Sequence, residues 1–378
     1  MDVGLSPDQL SLADATRKML ARHWGSEGIR AAALPDGQGH SAELWKQLTA
    51  SGWLGLAFPT EVGGDGGSLI DLGVIVREAG RALVPTTFSS TMHAALLIAE
   101  LGTPQQQDRW LRPILSGELL ATVAYAESAA VHDPASYQTA ARRIESGWSL
   151  SGRKLFVENA SLSGLVLVAS RVARDQVPKG LGICAVPPQE EGVSFQRHVT
   201  FGHDLQDEMS LDEVIIGDDA FLGSDSAEAL RGWRRITKVV TALASLEMAG
   251  GAQSIVERTA EYVKVREAFG KPIGSFQAVQ HHLANAAMAV RGADLAAWQA
   301  LWRLSEGLPA GREVAIAKAS AGRAYKQASV IAHQLHGGMG YIEETDLHLW
   351  SRRAIAADLR HGSANHHMQR LADQVGTL

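Results

Sequence analysis

The chain has 378 residues, with 35 basic against 41 acidic side chains, one cysteine and 14 histidines. Hydrophobic residues at 46% and charged residues at 20% are ordinary for a globular protein of two or three domains and exclude wholesale disorder. A formal net charge of -6 offers no broad electrostatic footprint for nucleic acid, and the lone Cys184 excludes an internal disulfide or a zinc site built on several thiolates. The opening MDVGLSPDQLSLADATRKML lacks the basic-then-apolar pattern of a secretion signal, and no run approaches ~18 uninterrupted apolar residues. The expectation is a cytoplasmic protein with no membrane span.

Three textures follow one another along the chain. From Ser6 to about Ser116 it reads helical. Ser6 is an N-cap before Pro7, with apolar residues recurring at Leu10, Ala13 and Met19-Leu20. Leu44, Trp45 and Leu48 before Gly52 mark a helix with a glycine stop. The glycine run at 62–67 is a loop ahead of a helix over 69–83, and Pro113 sits near the start of the last helix in this block. The glycine run lacks the G-K-[ST] ending of a phosphate loop.

Between about Leu119 and Gly223, short runs rich in Val, Ile, Leu and Phe alternate with Gly, Pro, Ser and Asp. The runs at 120–125, 148–151, 165–170, 182–186, 193–196 and 213–216 predict an antiparallel β-domain. Beyond Asp225 the helical period returns. Val239, Leu243, Leu246, Gly250, Val256, Ala260 and Val263 share one stripe of a long helix, and an alanine-rich helix over 312–336 stops at Gly337-Gly338. The fold class is therefore α+β in three domains: an N-terminal helical domain at 1–117, a middle antiparallel β-domain at 118–224, and a C-terminal helical bundle at 225–378.

Two segments interrupt the C-terminal helices while keeping chemistry-bearing side chains. The first runs Arg266-Glu-Ala-Phe269-Gly270-Lys-Pro272-Ile273-Gly274-Ser-Phe276-Gln277. Arg266 offers a charge-assisted fork for a phosphate, and Phe269 can pack on a flat ring. The second is Gln334-Leu-His336-Gly337-Gly338-Met-Gly340-Tyr341, whose glycines permit close backbone approach to a ligand. Together they resemble the FAD-dependent acyl-CoA dehydrogenase family, matching its R-x-x-F-G-x-x-I-x-x-F-Q and Q-x-H-G-G-x-G-Y signatures. Pro59-Thr-Glu61-Val-Gly63-Gly64 and Glu78-Ala-Gly80-Arg81 are similar to the N-terminal part of that family, so the resemblance spans nearly the whole chain.

The resemblance implies a fold of N-terminal helices, a middle β-domain and a C-terminal four-helix bundle. It implies FAD, with the isoalloxazine between β-domain and bundle and the AMP half reaching into a neighbouring subunit. The family positions for that half are all kept: Arg266, Phe269, Gln277, Gln334, Gly337 and Gly338. A homo- or hetero-oligomer, a dimer of dimers, follows, with an acyl-CoA substrate and an electron-transfer flavoprotein or similar acceptor as partners. The implied reaction is α,β-dehydrogenation of the thioester: a carboxylate removes the α-proton while the β-hydrogen passes as hydride to flavin N5. The carbonyl oxygen needs hydrogen-bond donors as charge develops on it.

The sequence departs from the family where the chemistry lies. Medium-chain members place the catalytic Glu 27 positions beyond the glutamine of the second signature, opening an E-G-T triplet; here the triplet is His361-Gly362-Ser363. The isovaleryl type places it 26 positions before the signature Arg, which is Val240 here. Neutral imidazole accepts a proton near pH 7, which makes His361 the candidate base. Glu247, two turns past Val240, is a weaker candidate and reads more naturally as a structural carboxylate. In the flavin-facing β-segments, Tyr125 is retained and the T-E-P-x-A-G-S-D motif becomes residues 126–133. Ala126 stands where a hydroxyl would bond the flavin, and His132 where a serine would meet the thioester arm. Further on, W-[IS]-T-N becomes Phe156-Val157-Glu158-Asn159. Phe156 can still stack on the ring, but Glu158 replaces a hydroxyl donor and its charge would oppose reduced flavin.

His361, His366 and His367 lie close together in sequence, yet no carboxylate is spaced with them to complete a metal site. Three readings remain open: a dehydrogenase with a substituted base, the non-catalytic partner in a heteromer like those of some actinobacterial sterol side-chain enzymes, or a non-redox binding protein on the same fold. The acyl group is not legible. Small residues such as Ala126 and Gly250 could admit a bulky chain, and core packing accounts for them equally well.

Overall fold

The computed structural model describes residues 4–33, 39–127, 132–173 and 180–376. Two compact units form, and neither coincides with one stretch of sequence. The first unites Met1–Ala33, Ser68–Val84 and Lys238–Leu378; the second unites Leu34–Gly67 and Pro85–Thr237. The N-terminal helices are thus divided between them.

In the first unit, α1 (Pro7–His23) opens with a full capping box: the Ser6 hydroxyl accepts from the Gln9 amide, and the Gln9 side chain accepts from the Ser6 amide. After α2 (Ser26–Ala33), the second unit supplies α3 (Ala42–Ala50), and α4 (Leu69–Arg81) returns to the first with a Ser68/Asp71 capping box. The second unit continues with α5 (Thr87–Leu101), the short α6 (Pro104–Gln106) and α7 (Arg112–Leu115), with Pro113 in the first turn of α7.

Eight strands follow: β1 (Ala121–Ala124), β2 (Ala140–Ile144), β3 (Gly147–Glu158), β4 (Leu165–Ala173), β5 (Gly180–Val186), β6 (Val193–His198), β7 (Gln206–Ile216) and β8 (Phe221–Leu222). Their order is β6-β7-β3-β2-β4-β5-β8, with β1 also beside β4. The sheet is mixed, which corrects the antiparallel expectation. Ala121–Ala124 pair in parallel with Leu165–Val168, and Ala140–Arg142 pair in parallel with Arg171–Ala173. β1 and β2 lie end to end along one side of β4 and run the same way. β4 and β5 are buried on both faces, so their sequences read as continuous apolar runs. Cys184 lies on β5, and burial pushes its thiol up to about 12, leaving it unreactive.

The helical bundle consists of α8 (Ser226–Val265), α9 (Gln277–Ser305), α10 (Gly311–His336), α11 (Leu347–Leu359) and α12 (Ala364–Gly376). By length and composition α8 passes for a membrane span, but 94% of its apolar window is buried inside the protein, as in a core helix. α4 crosses α8 through two glycines. A β-carbon on Gly80 would lie 2.0 Å from the Glu247 carbonyl oxygen, and one on Gly250 would lie 2.0 Å from that of Arg77. Helix packing therefore accounts for the small residue at Gly250.

Candidate functional site

The two signature segments meet within the first unit. α8 ends at Val265, and a two-residue ladder follows: β9 (Glu267–Ala268) against β10 (Lys271–Pro272). Phe269 and Gly270 form its turn with φ 55 and 79, the all-positive geometry of a type I′ hairpin. This turn holds Phe269 outward and 94% exposed, its ring edge-on to Phe276. Arg266 and Gln277 flank the hairpin and are exposed. The end of α10 docks beside the end of α8: the Tyr262 and His336 rings stack 4.1 Å apart, and the Tyr262 hydroxyl donates to the His336 carbonyl at 3.4 Å. Gln334, Gly337 and Gly338 sit at this helix end, open or partly open to solvent. Gly337 has φ 58 and ψ -136, a conformation essentially reserved for glycine, and a β-carbon on Gly337 or Gly338 would meet no described atom within 4 Å.

This patch fits the far half of FAD. It offers an exposed guanidinium for phosphate, an uncovered aromatic ring, two side-chain amides and bare backbone at a helix end. The hairpin turn leaves the Phe269 ring uncovered, and a β-carbon at either glycine would meet no described atom within 4 Å, so this surface is open to a ligand.

His361 lies in the turn between α11 and α12, half-buried, with φ 54. Left-handed backbone is strained for a residue with a β-carbon. The His361 carbonyl accepts from His367 Nε2 at 2.9 Å, which assigns the Nε2–H tautomer to His367. Burial pushes His367 down to about 3, so it is neutral at physiological pH.

Glu247, on α8, is buried and ion-paired. Its Oε1 accepts from Arg360 Nη2 at 2.7 Å and from Arg353 Nη1 at 3.4 Å. Burial alone would raise its pKa, but the Arg360 and Arg353 guanidiniums outweigh burial and hold it below the usual carboxylate range. A carboxylate engaged in this way is a poor proton acceptor. Among the described residues, no group of three or more His, Cys, Asp and Glu side chains is arranged to hold a metal.

In the second unit, Tyr125 is half-buried against His93 and Trp233, with ring centroids 6.2 and 5.9 Å away. Ala126 accepts the Leu155 amide through its carbonyl at 2.7 Å. The register of β3 on β7 shifts between Lys154 and Val157, and at this bulge Phe156 has φ 53 and is 51% exposed. Glu158 is half-buried and opposite Gln206. His132 is half-buried; Ser128–Val131 of the same motif lie outside the described residues.

Sequence reasoning missed the anchor between these segments. Fully buried Lys154 reaches Glu127 Oε1 at 2.7 Å and lies 4.3 Å from the Tyr137 ring centroid. Burial drives Lys154 down to about 8 despite Glu127, whose carboxylate also accepts the Thr139 amide at 3.0 Å and the Gln138 amide. The anchor ties residues 125–127 to β3 two residues before Phe156. Also missed was Lys318 on α10, fully buried and visible in sequence only as a lysine within the apolar stripe of Val314, Ala317, Ala321 and Tyr325.

Comparison with known proteins identifies the family and the fold. Domain models for the acyl-CoA dehydrogenase N-terminal, middle and C-terminal domains match residues 6–118, 122–214 and 231–376. The chain belongs to the acyl-CoA dehydrogenase family, a family of FAD-dependent oxidoreductases. It is 30% identical over 298 residues to acyl-CoA dehydrogenase FadE28 of Mycobacterium tuberculosis, covering 78% of this chain and 81% of that protein. The ChsE4-ChsE5 complex from Mycobacterium tuberculosis matches with a TM-score of 0.90 at 25% identity over 100% of both chains. A variant of the Tcur3481-Tcur3483 steroid ACAD matches with a TM-score of 0.87 at 29% identity over 98% of both.

Proposed function

We propose that this chain acts in FAD-dependent α,β-dehydrogenation of an acyl-CoA thioester, with His361 taking the α-proton. FAD, when bound, supplies the acceptor for the β-hydrogen as hydride. Arg266, Phe269, Gln277, Gln334, Gly337 and Gly338 hold the AMP half of a neighbouring subunit's FAD. Phe156 and Tyr125 face the ring of the chain's own FAD, and the Lys154–Glu127 pair fixes the backbone between them. The electron acceptor is an electron-transfer flavoprotein or a similar protein, and the compartment is the cytoplasm. One observation carries the choice of base. Glu247 is engaged by two guanidiniums, whereas His361 stands in a turn at the family's base position.

A second reading is that this chain is the non-catalytic partner in a heteromeric enzyme acting on a steroid-type acyl chain. Its likeness to the ChsE4-ChsE5 complex and to a steroid ACAD of two named components favours this reading. Retention of the residues for the AMP half together with changes at the flavin-facing positions is what a partner supporting its neighbour's flavin would keep.

The test is a purified chain, alone and co-expressed with a candidate neighbour. Flavin per subunit is read from the visible spectrum, and turnover from bleaching on addition of acyl-CoAs. Bleaching by the chain alone that is lost in His361→Ala supports the first reading. Activity that appears only with the neighbour and persists in His361→Ala supports the second. Absence of flavin under every condition refutes both.

A further inference from the structure

We propose that Lys318 is a positioning residue that clamps the backbone on both sides of His361. The proposal rests on the reading of His361 as proton acceptor. Lys318 is fully buried, and its Nζ lies 3.3 Å from the carbonyl oxygen of Ala357 and 2.8 Å from those of Asp358 and Gly362. Burial lowers Lys318 to about 7; in its ammonium form it has three donors, and all three are directed to carbonyls flanking residue 361. Those of Ala357 and Asp358 close the last turn of α11, where helical carbonyls lack partners and a cation is favoured. That of Gly362 lies beyond His361, so one side chain staples the end of α11 to the far side of the turn.

Neighbouring contacts fix the same turn. Asp358 accepts the Ala364 amide at 3.0 Å and pairs with Lys326 at 2.6 Å, which sets the start of α12. α10 approaches closely enough because it carries Gly322, where a β-carbon would lie 2.0 Å from Asp358 Oδ1. Arg360 is held by Glu247, and the His361 carbonyl by His367. His361 has a left-handed φ, a conformation that persists in a non-glycine residue only where its surroundings over-determine it. Without the clamp, the backbone at 361 relaxes toward negative φ, which re-aims the imidazole.

The test uses the chain in whichever form turns over, alone or with its neighbour. Lys318→Met removes the donors at similar volume, and Lys318→Gln serves if the first variant does not fold. Amide exchange is measured by mass spectrometry over residues 356–367. The expected result is exchange at least tenfold faster there, with α9 unchanged. For turnover, kcat is expected to fall roughly 30–100-fold with KM within about twofold, as for a misplaced reacting group. In a His361→Ala background, Lys318→Met is expected to lower kcat no further, because both changes remove the same function. Unchanged exchange, unchanged kcat, or additive losses in the double variant would overturn the proposal. Full activity in His361→Ala alone refutes the reading of the base, and exchange then judges the clamp by itself.

Discussion

Glu247 separates a structural carboxylate from a base most sharply. Glu247→Gln keeps the shape of the side chain but removes the negative charge that faces Arg353 and Arg360. Charge centres about 4 Å apart at an effective dielectric of ~20 attract by about 4 kcal/mol. Removing one partner of a buried pair costs about 3–5 kcal/mol, because the guanidinium left behind stays desolvated. The two routes agree, and the Arg360 and Glu247 side chains are only 7% and 10% exposed, so solvent screening reduces the figure little. The expected outcome is a melting temperature roughly 6–20 °C lower, taking ~2–4 °C per kcal/mol for a large domain. Urea denaturation followed by tryptophan fluorescence checks the free energy. A cycle with Arg360→Gln is expected to show a coupling of about 1–3 kcal/mol. A Glu247→Gln variant that melts within about 2 °C of the parent yet loses all turnover would refute this reasoning and return Glu247 to the role of base.

The remaining predictions concern pH, the AMP patch and the helix crossing. Burial drives His93 and His367 down to about 3. Between pH 3 and 6.5 the unfolded chain therefore binds more protons than the folded one, so this contribution is complete above pH 6.5 and is lost as pH falls. Each histidine is expected to withdraw about 2 kcal/mol between pH 6.5 and 5. Urea midpoints measured at the two pH values should show about 2 kcal/mol less acid loss in His93→Phe; an unchanged loss contradicts the assignment. Arg266→Ala and Gly337→Ala are expected to retain less FAD after gel filtration, and Gly337→Ala also to lose about 1–3 kcal/mol through its backbone conformation. Unchanged flavin content in Arg266→Ala would sink the AMP-half assignment. Gly250→Val is expected to destabilise by at least about 2 kcal/mol by forcing α4 and α8 apart. A variant that melts like the parent would show that the crossing is not tight.

Much of this protein is legible in its sequence. The Ser6 cap, the long α8 stripe and the glycine stop after α10 are local signals, written in residues three or four apart, and each stands where expected. The two signature segments are also local, because a hairpin turn and a helix end depend on a handful of neighbouring residues. The proposal of His361 as base likewise rests on counting along the chain from Gln334.

Only the tertiary structure decided what the lone charged residues do. Nothing near Glu247 in sequence announces Arg353 and Arg360, which lie 106 and 113 residues away and meet it through packing of α8 against the end of α11. The same holds for Lys154, whose carboxylate partner is 27 residues upstream on another segment, and for Lys318, whose partners are backbone carbonyls. The parallel pairing of β1 and β2 with β4 was hidden for a related reason: alternation reports which faces are buried, not the direction of the neighbouring strand. Sequence alone determined the family, because signature residues and their spacing are matters of identity along the chain. Whether a buried charge is a base, an anchor or a clamp depends on the groups that surround it in space, and only the folded chain assembles them.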